Sequence, residues 1–115
     1  MEQIIDAQGK TLGRLASGVA AILCGKTSPS FERNRIPADL RVKVVHASGI
    51  RLSGKKELTK RYDRYSGYPG GLRSLSLTAV KKSHGATMIL RTAIVRMLPK
   101  NKLRPLLLKR LTIEE

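Results

Sequence analysis

The spacing of apolar positions changes once within the first 25 residues, and that change points to the fold class. Ile4-Ile5-Asp6-Ala7 reads as a short buried strand that ends in a turn at Gln8-Gly9. Beyond it the period lengthens. Leu12, Leu15, Ala16, Val19 and Leu23 recur at helical spacing, with Thr11 placed as N-cap and Gly25 as the C-terminal stop. A strand feeding a helix over so short a distance is the opening of an α/β unit.

Thr27 to Leu40 follows no period and holds Pro29, Pro37, Arg33 and Arg35. Arg41-Val42-Lys43-Val44-Val45-His46 alternates and is rich in β-branched residues, which predicts a second strand. After a turn at Ser48-Gly49, Ile50 and Leu52 alternate with Arg51 and Ser53 as a third short strand, and Gly54-Lys55-Lys56 turns again. Residues 57 to 73 read as a basic, tyrosine-bearing loop. Within it, Gly67-Tyr68-Pro69-Gly70-Gly71 specifies a tight turn whose backbone lies close to something. Met88, Ile89, Thr92, Ala93, Arg96 and Met97 predict a helix from about Ala86 to Met97, ended by Pro99. A last short helix starts near Arg104-Pro105, where proline is tolerated in the first turn, and carries Leu107, Leu108 and Leu111.

Charge gives the pattern a direction. The 115 residues suffice for one domain, expected to span 1–115, with a modest core. Against 8 acids stand 23 lysines and arginines, a net charge of +15. The excess is uneven: between Asp63 and Glu114 there is no acid, while Arg64, Arg73, Lys81, Lys82, Arg91, Arg96, Lys100, Lys102, Arg104, Lys109 and Arg110 all fall there. Solvated faces normally mix signs because like charges repel, so a one-sign stretch points to counter-charges supplied by a polyanionic partner.

Other classes find little support. A P-loop needs G-x-x-x-x-G-K-[ST]. Gly9-Lys10-Thr11 and Gly25-Lys26-Thr27 lack its first glycine, and Gly54-Lys55 is followed by Lys56 in place of the hydroxyl. His46 closes an apolar strand and reads as a packed or capping residue, while His84 sits in a turn. Neither neighbours a cysteine or carboxylate at metal or triad spacing. Asp6, after its strand, is placed to accept from nearby backbone N–H groups. Cys24, alone in the chain and set among Ala21, Ile22 and Leu23, reads as a packing thiol in a reducing compartment. The opening Met1-Glu2-Gln3-Ile4-Ile5-Asp6 meets an acid too early for a secretory signal. No uncharged run approaches the roughly 18 apolar residues of a membrane span. These features predict no catalytic residue, no metal, no cofactor, no small-molecule substrate and no membrane partner.

Four aromatic residues, Phe31, Tyr62, Tyr65 and Tyr68, are too few for a single-strand stacking platform. Dense Lys/Arg beside glycine turns instead suits backbone and shape recognition of folded RNA. Three surfaces are expected. One runs through Lys55, Lys56, Lys60, Arg61 and Arg64. A second holds Lys100, Lys102, Arg104, Lys109 and Arg110. The third is the helix start, where Lys10 and Arg14 flank free N–H groups that attract phosphate, or that form only a solvated cap.

Three segments carry a resemblance: Ile5-Asp6-Ala7 through Gly9-Lys10-Thr11-Leu12-Gly13-Arg14-Leu15-Ala16-Ser17, then Tyr65-Ser66-Gly67-Tyr68-Pro69-Gly70-Gly71-Leu72, then Met97-Leu98-Pro99-Lys100-Asn101-Lys102-Leu103. Together, in this order, they resemble the large-subunit ribosomal protein thirteen family in its bacterial form. The resemblance covers essentially the whole chain. It implies a three-layer α/β/α fold around a four-stranded, mainly parallel sheet with basic loops. It also implies binding to large-subunit ribosomal RNA beside neighbouring ribosomal proteins, a role in early subunit assembly, and a place in cytoplasmic or organellar ribosomes. It adds Tyr68, Gly70 and Gly71 to the RNA-contact residues, with Arg73 just beyond them. Tyr65 stands where the family usually has histidine, and His46-Ala47 where it has Asn-Ala. A stand-alone RNA-binding translational regulator remains the alternative reading.

Overall fold

A computed structural model describes residues 2–26, 29, 40–52 and 59–115. The first strand, β1 (Glu2–Asp6), is followed by α1 (Leu12–Cys24) and β2 (Arg41–Val45). A single 3-10 turn spans Ala47–Gly49. Then come β3 (Arg61–Tyr65), β4 (Leu72–Ser76), α2 (Leu77–Met97), α3 (Arg104–Leu108) and β5 (Leu111–Ile113). β1, β2 and β5 form a parallel sheet with β2 central, while β3 and β4 form a separate antiparallel hairpin.

The α/β expectation holds, but the four-stranded sheet does not: among the described residues the parallel sheet has three strands. Of the segment predicted as a strand at Ile50–Ser53, Ser53 lies outside the described residues, and Ile50–Leu52 contribute an isolated parallel bridge between Thr11 and Arg51. Its bonds are Arg51 N–H to Lys10 O at 2.9 Å and Leu12 N–H to Arg51 O at 3.1 Å. Leu111, expected on the last helix, is instead the first residue of β5, paired with Val42. Three residues of strand leave too short a pattern to separate from the helix before it.

Register explains why the helices lie where they do. Gln3 and Ile5 stand opposite Val42 and Val44, which stand in turn opposite Leu111 and Ile113. Val42 and Val44 are buried and belong to one core with Leu15, Val19 and Leu23 of α1 and Leu77, Leu90 and Ile94 of α2. The other face carries Ile4, Lys43 and Thr112 in register. Ile4 is 67% exposed there, and Lys43 pairs with Glu114 at 3.0 Å. Helices on both faces were expected. Among the described residues only the face bearing Val42 and Val44 is buried, because β2 alternates apolar with cationic positions instead of running apolar throughout.

The two long helices end as their sequences dictate, with one surprise each. Gly25 closes α1 in the left-handed region (φ 81°), its N–H donating to Ile22 O at 3.0 Å. Thr11 occupies the N-cap position, yet its side chain makes no capping bond. α2 starts nine residues earlier than the apolar period predicted. Ser76 caps it by accepting from Ala79 N–H at 3.3 Å, and Gly85 (φ 77°, ψ 177°) divides it into two limbs. The second limb is the predicted helix, and His84, expected in a turn, lies on the first limb just before the kink. The φ of Gly85 is what calls for glycine, since it disfavours any side chain. A Cβ there would also meet the Glu115 carboxylate, but that is the far end of an exposed side chain and can swing away. That carboxylate accepts from Thr87 Oγ1 at 3.1 Å, so it places a negative charge at the start of the second limb.

Residues 61–65 and 72–76 are the two arms of the hairpin; the loop reading covers 57–73, and 74–76 carry no predicted element. The turn between them fits expectation, with Gly67 and Gly70 both at positive φ. The arms escaped the pattern because nearly all of their residues are exposed, so no alternation toward a core marks them. No described helix is long and apolar enough to cross a membrane.

Candidate nucleic-acid interface

Three cationic surfaces project from this frame. The first surrounds the start of α1. Lys10 and Arg14 are exposed and line a cavity of about 580 Å³ together with Arg51, which sequence reading did not single out. The bridge to Thr11 is what brings Arg51 there. Its alternation with Ile50 and Leu52 was the available signal, since it marked Arg51 as facing away from the core.

The second surface is the hairpin. Arg64 stands directly opposite Arg73, and Arg61 opposite Ser76. Like charges facing across an antiparallel pair repel at close range, so this arrangement favours a shared anion. Tyr65 pairs with Leu72, and these two residues with Tyr68 at the turn are 64%, 65% and 75% exposed. Gly71 N–H donates to Tyr68 O at 2.9 Å and closes the turn around Gly70. At the base, the half-buried ring of Tyr62 meets two cations, Lys60 Nζ at 5.5 Å from its centroid and the Arg96 guanidinium at 5.6 Å. Burial pushes the Tyr62 hydroxyl up from its ordinary pKa, and Arg96 partly offsets that. Arg96, also missed from sequence, thus ties the hairpin to α2 by a cation–π contact.

The third surface follows α2. Asn101 knits the segment: its N–H donates to Pro99 O at 3.0 Å, its Oδ1 accepts from Leu103 N–H at 3.0 Å, and its O accepts from Arg104 N–H at 3.3 Å. This turn leaves Lys100 and Lys102 exposed on either side. Arg104 opens α3, half-buried, with exposed Lys109 and half-buried Arg110 just beyond its end. Lys55 and Lys56, which open the first of the predicted surfaces, lie outside the described residues, as do Arg33 and Arg35.

Chemistry of other kinds is thinly furnished. Among the described residues no three His, Cys, Asp or Glu side chains gather as a metal site. His46 is neither packed nor a side-chain cap: it is exposed, in the left-handed region at φ 58°, with Nδ1 3.0 Å from Asp6 Oδ1. Asp6 also accepts from Gln8 N–H at 3.0 Å, as expected from its place after β1. That backbone bond, followed by the His46 bond, holds the Asp6 carboxyl below its ordinary pKa. Cys24 is buried in the core, as expected, and burial raises its pKa.

Comparison with known proteins adds the decisive finding. The family model described as Ribosomal protein L13 matches residues 1–114. A Thermus thermophilus relative named "Large ribosomal subunit protein uL13" is 46% identical over 110 residues, covering 96% of this chain and 77% of that protein. Proteins of the same name from Aquifex aeolicus and Thermotoga maritima are each 44% identical over 110 residues, again covering 96% of this chain and 75% and 72% of theirs.

Proposed function

The chain belongs to the ribosomal protein L13 family, and from that premise we propose that it is a structural constituent of the large ribosomal subunit, not an enzyme, and binds large-subunit ribosomal RNA through one domain. The sequence match across residues 1–114 carries the reading. The cationic surfaces give it a mechanism. Lys10, Arg14 and Arg51 at the head of α1, Arg61, Arg64 and Arg73 on the hairpin, and Lys100, Lys102 and Arg104 after α2 neutralise phosphates where RNA segments converge. Arginine forks bind phosphate oxygens in pairs, and lysines act as mobile charges. By holding such segments together, the protein supports early assembly of the subunit beside neighbouring ribosomal proteins.

The test is incorporation. A tagged full-length chain is expressed in cells and large subunits are isolated through a stringent salt wash. The wild type stays with the subunit. Replacing Lys100, Lys102 and Arg104 together by alanine lowers its occupancy and slows subunit maturation. Normal incorporation of the triple variant would remove that surface from the account. Recovery of the wild type only in RNA complexes lacking the large subunit would favour a stand-alone regulator.

A further inference from the structure

We propose that the cavity at the head of α1 receives a single unpaired nucleotide of the bound RNA, with its base inside and its flanking phosphates on Lys10, Arg14 and Arg51. This rests on the RNA-binding reading above and makes it specific to one structural element of the RNA.

The cavity has two kinds of wall. Three cations from separate places in the chain stand on it: the turn after β1, the first turn of α1, and the segment bridged to Thr11. No carboxylate lines it among the described residues. Asp6, whose carboxylate feels the charge of Lys10, is bonded to Gln8 and His46. Below the cations the lining turns apolar, through Ile5 of β1 and Leu15, Val19 and Ile22 of α1. Ile5 and Ile22 are only half-buried, although they belong to the margin of the core.

A duplex backbone uses only the cations. It gains nothing from the apolar wall, and about 580 Å³ is far more than a phosphate needs. The site is an open groove, not a closed cavity, and is wide enough for a flat group to lie along the apolar wall. A polyanion bearing a flat group with apolar faces and a polar edge satisfies both walls at once, its face on the apolar wall and its edge left toward the open mouth, and an unpaired nucleotide of RNA is that group. Gly18 also lines the cavity, and a Cβ at Gly18 meets nothing within 4 Å, so the space above the helix at this point is open.

The experiment compares two RNA hairpins binding to the full-length chain. One is fully paired, and the other is identical except for a single bulged purine replaced by 2-aminopurine. The bulged RNA binds about ten-fold tighter, the order expected if the base covers about 50–60 Å² of apolar wall. Emission of 2-aminopurine rises on binding as the base leaves the stack. Gly18→Leu fills the cavity and leaves every cation in place, so it brings the bulged RNA down to the affinity of the paired one. Gly18→Ala, too small to fill the space, keeps most of the preference. Circular dichroism of both variants confirms the fold, and the fluorescence of the wild-type complex tests the proposal even if Gly18→Leu does not fold.

Equal affinity for the two hairpins, or unchanged emission, overturns the proposal and leaves RNA binding itself standing. Adenosine monophosphate binding as tightly as the bulged RNA also overturns it, because the site would then serve a free nucleotide. Failure to bind either RNA at low salt sinks the RNA-binding reading first.

Discussion

The parallel sheet and the β3–β4 hairpin are built on opposite principles. The sheet settles its own accounts: Val42 and Val44 are buried against the helices, Lys43 meets Glu114, and Asp6 meets His46 and Gln8. Of the acids among the described residues, only Asp63 lies outside the sheet and the end of the chain. The hairpin does the reverse. It holds Tyr65, Tyr68 and Leu72 in water, sets Arg64 against Arg73, and is fastened at its base by Tyr62 and by the start of α2. One region is a folding unit, and the other leaves its apolar side chains and its facing like charges uncovered within the described chain.

The largest effect that separates the two is on stability. Leu90→Ala, deep in the core, costs about 2–5 kcal/mol, while Leu72→Ala on the hairpin stays within about 0.5 kcal/mol. Urea denaturation of the isolated chain checks both, and equal losses would erase the distinction. Next comes the fastening. Tyr62→Ala costs about 1–2 kcal/mol through lost burial and two lost cation contacts, and it speeds amide exchange in residues 61–76 more than in β1 or β2. Tyr62→Phe keeps the ring and most of the protection.

A smaller effect tests the opposed arginines. With Arg64 and Arg73 both changed to alanine, the free protein gains about 0.2–1 kcal/mol from relieved repulsion, while the slope of RNA affinity against salt flattens by about 1.5. Loss of stability in the double variant would mean that the pair is satisfied within the chain. The smallest effect lies at the sheet. Asp6 has a depressed folded-state pKa, so its contribution to stability is present above its unfolded pKa and fades as pH falls through the lower folded one. His46→Asn removes one of the two bonds to Asp6, leaves the larger Gln8 bond, and suits φ 58° at least as well. Carboxyl NMR then shows the Asp6 titration moving part of the way back toward the ordinary range. No movement would show that the histidine contact does not form in solution.

The sequence was legible wherever a segment faces the core on a regular period. α1 with its Gly25 stop, β2 and the second limb of α2 could all be read from apolar spacing. β1 was legible only as a strand: the pattern predicts it buried over Ile4–Ala7, but it spans Glu2–Asp6, buries no residue fully and leaves Ile4 67% exposed, because it is an edge strand with one open face. Elements that touch little could not be read that way. The hairpin arms have no buried face to generate alternation, the first limb of α2 offers only Leu77 and Val80 to the core before the Gly85 kink, and β5 is three residues long. At the interface the exposed cations were visible as charge, and the Tyr-Ser-Gly-Tyr-Pro-Gly-Gly turn as a motif. Arg51 and Arg96 were missed for another reason: local alternation marked Arg51 only as facing outward, and the parallel bridge and ring contact that set the two roles join segments distant in the chain.

The central claim is that the charge excess of +15 is matched by RNA phosphates. The most direct measurement is the affinity of the full-length chain for large-subunit ribosomal RNA as a function of salt. About six to ten phosphate contacts predict a loss of roughly 10³–10⁵ in affinity between about 50 and 200 mM salt. A complex whose affinity stays flat across that range would contradict the account.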